Sequence, residues 1–211
     1  MTRADRKAQT RARILAACWH LIEEGRGLDS LGLREVARAA GLAAPSLYNH
    51  FGDMESLGVA LLDQACFRFR RWMTEGRREL IKASPDEAIA LVVARFLQYL
   101  EQHDAEFRLL VQQRTGSHAT YRRRIHHELH LAVVELGDDI AEVVGRPRSE
   151  GDVDVEAEAM AAILLGFGIQ ALDIDKLAYE QLQKRLVVQL TMVMQGARFL
   201  RAVQDASSPG K

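Results

Sequence analysis

Leu33-Arg34-Glu35-Val36-Ala37-Arg38-Ala39-Ala40-Gly41-Leu42-Ala43-Ala44-Pro45-Ser46-Leu47-Tyr48-Asn49-His50-Phe51 reads as two short helices broken by a glycine. Val36, Ala37 and Ala40 recur at helical spacing and give the first helix an apolar inner face. Arg34, Glu35 and Arg38 occupy its other sides. Gly41 best tolerates the left-handed conformation that ends a helix. Pro45 suits the first turn of the next, where its missing N–H costs nothing. Leu47 and Phe51 face inward at i and i+4, leaving Ala44, Pro45, Ser46, Tyr48, Asn49 and His50 for the outer faces and ends. The pattern is that of a helix-turn-helix, which presents its second helix to the DNA major groove. Small, hydrogen-bonding side chains suit such a surface, because a uniformly basic helix would hold any phosphate equally well. An ordinary helical hairpin is the alternative, though the order of residues here is unusual for one.

Outward from this stretch, the pattern predicts helices throughout. A first helix runs from about Lys7 to Glu24, with Ile14, Leu15, Cys18, Trp19 and Ile22 on its stripe. Asp53 is a candidate cap for a fourth helix reaching about Ile81. Ser84-Pro85-Asp86-Glu87 is a capping box that starts a helix ending near His103. Further segments span 104–113, 119–144, 153–172 and 177–203. The polar group 114–117 and the Pro147- and Gly151-containing stretch 145–152 separate them. No β pattern or internal repeat stands out, so the fold class is all-α. Residues 1–52 form the helix-turn-helix domain, 53–205 a larger helical ligand-binding and dimerisation domain, and 206–211 a disordered tail.

The chain has 211 residues, 48% hydrophobic and 27% charged, enough for one sizeable core or a small domain with a larger one. No apolar run reaches membrane-spanning length. The polar start leads directly into a helix and is not a signal peptide. Cys18 and Cys66 sit in helical apolar patterns and read as buried free thiols of a reduced cytoplasm. Net charge is −1, yet residues 1–52 carry eight basic against five acidic side chains, +3, which leaves −4 for the remainder. Positive charge is thus placed beside the helix-turn-helix, as phosphate binding requires. Arg3, Arg6 and Lys7 read as a flexible basic arm, or alternatively as a merely solvated terminus.

Catalysis has no support, and the chain is read as not an enzyme with no cofactor. His126-His127-Glu128-Leu129-His130 lacks the two-residue gap between Glu and His of a zincin helix. A solvated helix face is the simpler reading. Arg122, Arg123 and Arg124 are either a solvated basic face or a set of phosphate contacts. Phe67, Phe69, Trp72, Phe96, Phe107 and Phe167 are either plain core or, together, the lining of a ligand cavity between helices. The last two helices are strongly apolar and are either internal core or buried against a second copy.

From about Thr10 to Leu62 the sequence resembles the TetR family of transcriptional repressors. The resemblance is carried by Thr10-Arg11-Ala12-Arg13-Ile14-Leu15, Arg34-Glu35-Val36-Ala37, Gly41-Leu42 and Leu47-Tyr48-Asn49-His50-Phe51. Gly32, Ala43 and Met54 depart from the Ser or Thr, the Ser and the Lys usual at those places. The resemblance implies a cytoplasmic homodimer on a palindromic double-stranded operator, joined through its last two helices. Arg34 then contacts a base or phosphate. Tyr48 and His50 contact phosphates, and Pro45, Ser46 and Asn49, beside Ala44, meet base edges. Arg3, Arg6 and Lys7 touch backbone or minor groove.

Phe107-Arg108-Leu109-Leu110-Val111 with Arg114-Thr115-Gly116, Gly168-Ile169-Gln170-Ala171-Leu172-Asp173 and Leu186-Val187-Val188-Gln189-Leu190 are similar to the DesT/FabR-type subgroup. That resemblance implies a long-chain acyl-CoA or acyl-carrier-protein thioester as effector and control of unsaturated fatty acid synthesis. It places Phe67, Trp72, Phe96, Phe107, Leu110, Val111, Arg114 and Phe167 at the ligand. Two other readings are a regulator of an efflux or detoxification operon and a helical lipid carrier that binds no DNA.

Overall fold

A computed structural model describes residues 2–75, 77–145, 152–174 and 176–207. Regular structure among them is helical throughout: α1 (Arg3–Glu23), α2 (Leu33–Ala39), α3 (Ala44–Tyr48), α4 (Met54–Glu75) and α5 (Arg77–Lys82). Then follow α6 (Pro85–Gln102), α7 (Asp104–Thr115), α8 (Ala119–Val144), α9 (Asp152–Ala171) and α10 (Lys176–Ser207). A single 3-10 turn, Leu28–Ser30, precedes α2.

Helix α1 begins four residues earlier than its apolar stripe suggests. Thr2 and Asp5 form a reciprocal capping box, with Thr2 N donating to Asp5 Oδ2 at 2.7 Å and Asp5 N to Thr2 Oγ1 at 3.1 Å. These hydrogen bonds hold the Asp5 carboxyl below its ordinary pKa. The expected flexible arm is therefore corrected: Arg3, Arg6 and Lys7 ride on the first turns of α1. Helices α4 and α5 together carry helical structure to Lys82, as the stripe reaching about Ile81 predicts, on either side of residue 76. Gly76 itself lies outside the described residues.

Asp53 and Ser84 cap as their sequence context predicts. Ser56 N donates to Asp53 Oδ1 at 2.7 Å, and Ser84 and Glu87 exchange the two bonds of a capping box. At the far end α10 continues to Ser207, so Ala206 and Ser207 are helical rather than part of a tail. Residues 208–211 lie outside the described residues, as do 146–151 of the expected loop, which Gly145 opens with φ of +68°.

Contacts gather the chain into two units: Met1–Arg68 with Ala105–His126, and Phe69–Asp104 with His127–Lys211. The first unit buries Ile14, Leu15, Cys18 and Trp19 of α1 against the inward faces of its other helices, among them Val36, Leu47, Leu57 and Leu61. Each such aliphatic side chain contributes about 1.5–3 kcal/mol of burial. Cys18 and Cys66 are both free and buried. Burial, with Glu35 nearby, pushes the Cys18 thiol up to about 12, so it stays protonated and unreactive. In the second unit α10 lies along α9 and against α6. Leu182, Leu186, Leu190 and Met194 are its buried row, and Glu156 of α9 is buried with Arg201 of α10.

Candidate nucleic-acid interface

Helix α2 starts at Gly32, which offers no side-chain cap, and buries Leu33, Val36 and Ala37. It ends in a Schellman motif. Gly41, at φ of +63°, donates its N–H to the Arg38 carbonyl at 3.1 Å, and Leu42 N donates to the Ala37 carbonyl at 2.8 Å. The chain then reverses into α3, whose N-cap Ala43 also makes no side-chain bond and whose first turn carries Pro45. Leu47 and Phe51 are buried, as their spacing predicts. The opposite face is open: Pro45, Asn49 and Tyr48 are exposed, Tyr48 by 51%, while Ala44, Ser46 and His50 are half-buried. Arg34 is exposed on α2.

Two of the eight basic residues in this region are already engaged. Arg26 holds Glu35 through Nη1–Oε1 at 2.6 Å and Nη2–Oε2 at 3.3 Å. Arg11 stacks on the Phe51 ring at 4.1 Å and donates Nη1 to the His50 carbonyl at 3.2 Å. It therefore ties α1 to the C-terminal end of the five-residue α3. Charge counting missed this role, and no local pattern marks it, because its partners lie 39 residues away. Arg3, Arg6, Lys7, Arg13, Arg34 and Arg38 remain exposed, with no side-chain partner among the described residues. Such cations are available to phosphates, whose contacts set register on a duplex while base contacts specify sequence.

Each of the consecutive arginines of α8 has a partner within the chain. Arg122 donates to the carbonyls of Gly116 and Ser117 at 2.6 and 2.7 Å, Arg123 to Thr120 Oγ1 at 3.3 Å, and Arg124 Nε to Asp63 Oδ1 at 2.5 Å. His126, His127 and His130 are exposed, and no group of three or more metal-ligating side chains occurs among the described residues.

The residues named for a ligand divide between the units. Phe96 and Phe167 meet edge to face in the second, ring centroids 6.3 Å apart, and Tyr179 joins Phe167 at 6.2 Å. Trp72 belongs there too, edge-on to His103 at 5.3 Å, with its Nε1 donating to the Arg95 carbonyl. Phe69 packs edge-on to Tyr99 at 5.0 Å. Phe107 is buried in the first unit, where Leu110 and Val111 are half-buried and Arg114 is exposed. Phe67 is 61% exposed.

Residues 14–61 match the family model described as bacterial regulatory proteins, tetR family. The fold of the whole chain is also that of regulators of this class. A tetR-family transcriptional regulator from Streptomyces coelicolor superposes with a TM-score of 0.73 at 18% identity, over 94% of this chain and 86% of that one. One from Mesorhizobium loti does so at 0.72 and 16% identity, over 92% and 98%. The transcriptional regulator FadR from Bacillus subtilis, in complex with stearoyl-CoA, gives 0.65 at 20% identity, over 83% and 97%. The match to the family model is thus confined to the helix-turn-helix head, and the fold of the whole chain is like that of these regulators.

Proposed function

We propose that this chain is a TetR-type transcriptional regulator, a cytoplasmic homodimeric repressor that reads a palindromic operator with α3 and releases or retains it according to the acyl-CoA it binds. The observation that carries the reading is the outward face of α3, seated on buried Leu47 and Phe51 beside six unpartnered cations. On this reading Tyr48 and His50 meet phosphates, Pro45, Ser46 and Asn49 meet base edges, and Arg34 contacts either. Arg3, Arg6 and Lys7 reach the backbone from a rigid helix.

A single recognition helix covers few base pairs, so paired half-sites call for a two-fold dimer. Helix α10 exposes Val188, Met192, Phe199 and Val203 at intervals of four, seven and four residues, so that they share one face, with exposed Gln195 between Met192 and Phe199. Val155 and Ile169 of α9 are exposed as well. A second copy of this chain would cover them. No helix among the described residues is long and apolar enough to cross a membrane.

Two observations favour a long-chain thioester of the DesT/FabR type as effector: the resemblance of the segments around Phe107 and Gly168, and the stearoyl-CoA held by the Bacillus subtilis regulator of the same fold. Each buried methylene contributes about 0.8 kcal/mol, so a long acyl chain supplies over about 10 kcal/mol gross. A cis double bond bends that chain, and a ligand shifts an equilibrium only by fitting two protein states differently. Unsaturated thioesters then favour the head spacing that matches successive major grooves, and saturated ones a spacing that misses them. Gel-shift titration of the DNA upstream of the protein's own gene with oleoyl- and palmitoyl-CoA tests this. Opposite effects are expected. Identical effects would refute the discrimination, and response only to unrelated apolar compounds would favour an efflux regulator.

A further inference from the structure

The first unit contains more than a helix-turn-helix, for α7 and the opening turns of α8 belong to it. Where α7 turns into α8, the chain touches both flanks of the reading unit. On one flank Gln113, only 2% exposed, donates Nε2 to Asp29 Oδ2 at 3.3 Å, and His118 Nε2 lies 3.8 Å from Asp29 Oδ1. Asp29 sits in the 3-10 turn that leads into α2. On the other flank Tyr121, also 2% exposed, donates its hydroxyl to the carbonyl of Met54 at 3.2 Å, at the start of α4 and just past α3. Its ring occupies a notch that exists because residue 58 is glycine: a Cβ there would overlap the Tyr121 hydroxyl.

The corner is itself held by further contacts. Arg122 closes it through the Gly116 and Ser117 carbonyls, Arg124 anchors it to Asp63 on α4, and the His118 ring lies against Tyr121 at 4.8 Å. Buried amides and hydroxyls are costly unless paired, and when paired they favour one geometry over its neighbours. The reading unit needs such support. Helices α2 and α3 have seven and five residues, and neither has a side-chain cap at its N-terminus. Helices this short do not hold their shape unaided.

We infer that the α7–α8 corner is the handle that orients the reading helix. Gln113 and His118 hold the chain before α2, Tyr121 holds it after α3, and the three act as positioning residues for sequence reading. The inference rests on the DNA-reading function proposed above, but its first test does not use DNA. Amide hydrogen exchange is followed on the full chain for wild type, Tyr121→Phe, which keeps the ring and loses the hydroxyl, and Asp29→Ala, which frees Gln113 and His118. Each variant should speed exchange within residues 33–51 by about five- to ten-fold, the scale of one lost hydrogen bond, with α9 and α10 unchanged. Next, the variants are titrated with a duplex that wild type has selected from a random pool and with a scrambled duplex of equal composition. The ratio of the two affinities should fall about ten-fold, because a loosened α3 loses base contacts before phosphate contacts. A purely stabilising role would leave that ratio unmoved, and an unmoved ratio overturns the inference. So does unaltered exchange in residues 33–51 in both variants. If wild type selects no duplex, the DNA-reading function falls, while the exchange result still decides the handle.

Discussion

Arg201→Met should expose the cost of a buried ion pair, and by an amount that depends on pH. Arg201 Nη1 meets Glu156 Oε2 at 2.7 Å, and the two side chains are 7% and 1% exposed. Burial pushes the Glu156 carboxyl above its ordinary pKa, while the hydrogen bond and charge of Arg201 pull it back. With a folded-state pKa above the unfolded one, the folded chain binds the proton more tightly. Stability from this group is therefore fullest below the ordinary carboxylate pKa and falls as pH rises through the folded value. Removing Arg201 takes away the downward pull, raises the folded pKa further and extends that fall to higher pH. At pH 8 the carboxylate is left charged and unpaired, a situation that costs about 3–5 kcal/mol. For a chain of this size that is a drop in Tm of about 6–20 °C. At pH 5 more of the carboxyl is protonated, and the loss should be clearly smaller. Glu156→Leu with Arg201→Met, which removes both charges, should come back close to wild type or exceed it. Thermal unfolding at pH 5 and 8 measures all three chains, at one protein concentration because the Tm of the proposed dimer would depend on it. A loss under about 1 kcal/mol at pH 8, or an equal loss at both pH values, would refute the reasoning.

Ala43→Ser should stabilise the head by about 1 kcal/mol, since α3 has no N-cap side chain, whereas Gly32→Ser at the start of α2 should add only a few tenths, Gly being a tolerable cap where Ala is not. Denaturant unfolding of the two variants checks this, and the reverse order would show that the caps do not limit these helices. Tyr48→Ala should abolish operator binding in a gel shift while the elution volume of the chain stays unchanged, because the side chain is 51% exposed and supports no core. Full binding by that variant would contradict the assignment of α3.

The helix-turn-helix was legible because its information is local. Val36, Leu47 and Phe51 announce an inner face by spacing alone, and Gly41 and Pro45 mark a turn that the backbone then adopts with φ of +63°. The extent of α1 was less legible, because Arg3, Arg6 and Lys7 have no apolar stripe. Their helix is decided by Thr2 and Asp5, a cap that lacks the Glu or Gln of the usual signature. The ligand residues were legible only as apolar content. Periodicity says that Phe96 and Phe167 turn inward, and it cannot say that they turn toward each other.

What no sequence window could show is which polar residues are already committed. Asp29 and Gln113 are 84 positions apart, Met54 and Tyr121 67, and Arg11 and His50 39. Each pair carries a side chain that counts as solvent-facing charge, helix filler or core aromatic when read alone. Gly58 shows the same effect from the other side. In the sequence it is a defect costing a helix about 1 kcal/mol, and in the structure it is the seat of Tyr121. The correction also acts on the electrostatics of the head. The sequence offers eight cations in the first 52 residues. Arg11 and Arg26 are withdrawn to hold Phe51 and Glu35, and the six left over stand on α1 and α2, helices fixed to the core, rather than on an arm. A mobile arm would lose conformational entropy on meeting phosphate, whereas a capped helix has lost it in folding. On the function proposed above, the net charge of the head therefore understates its readiness for DNA: six unpartnered cations carried on helices would meet phosphate as an ordered surface, and the positions of α1 and α2 would decide which phosphates they meet.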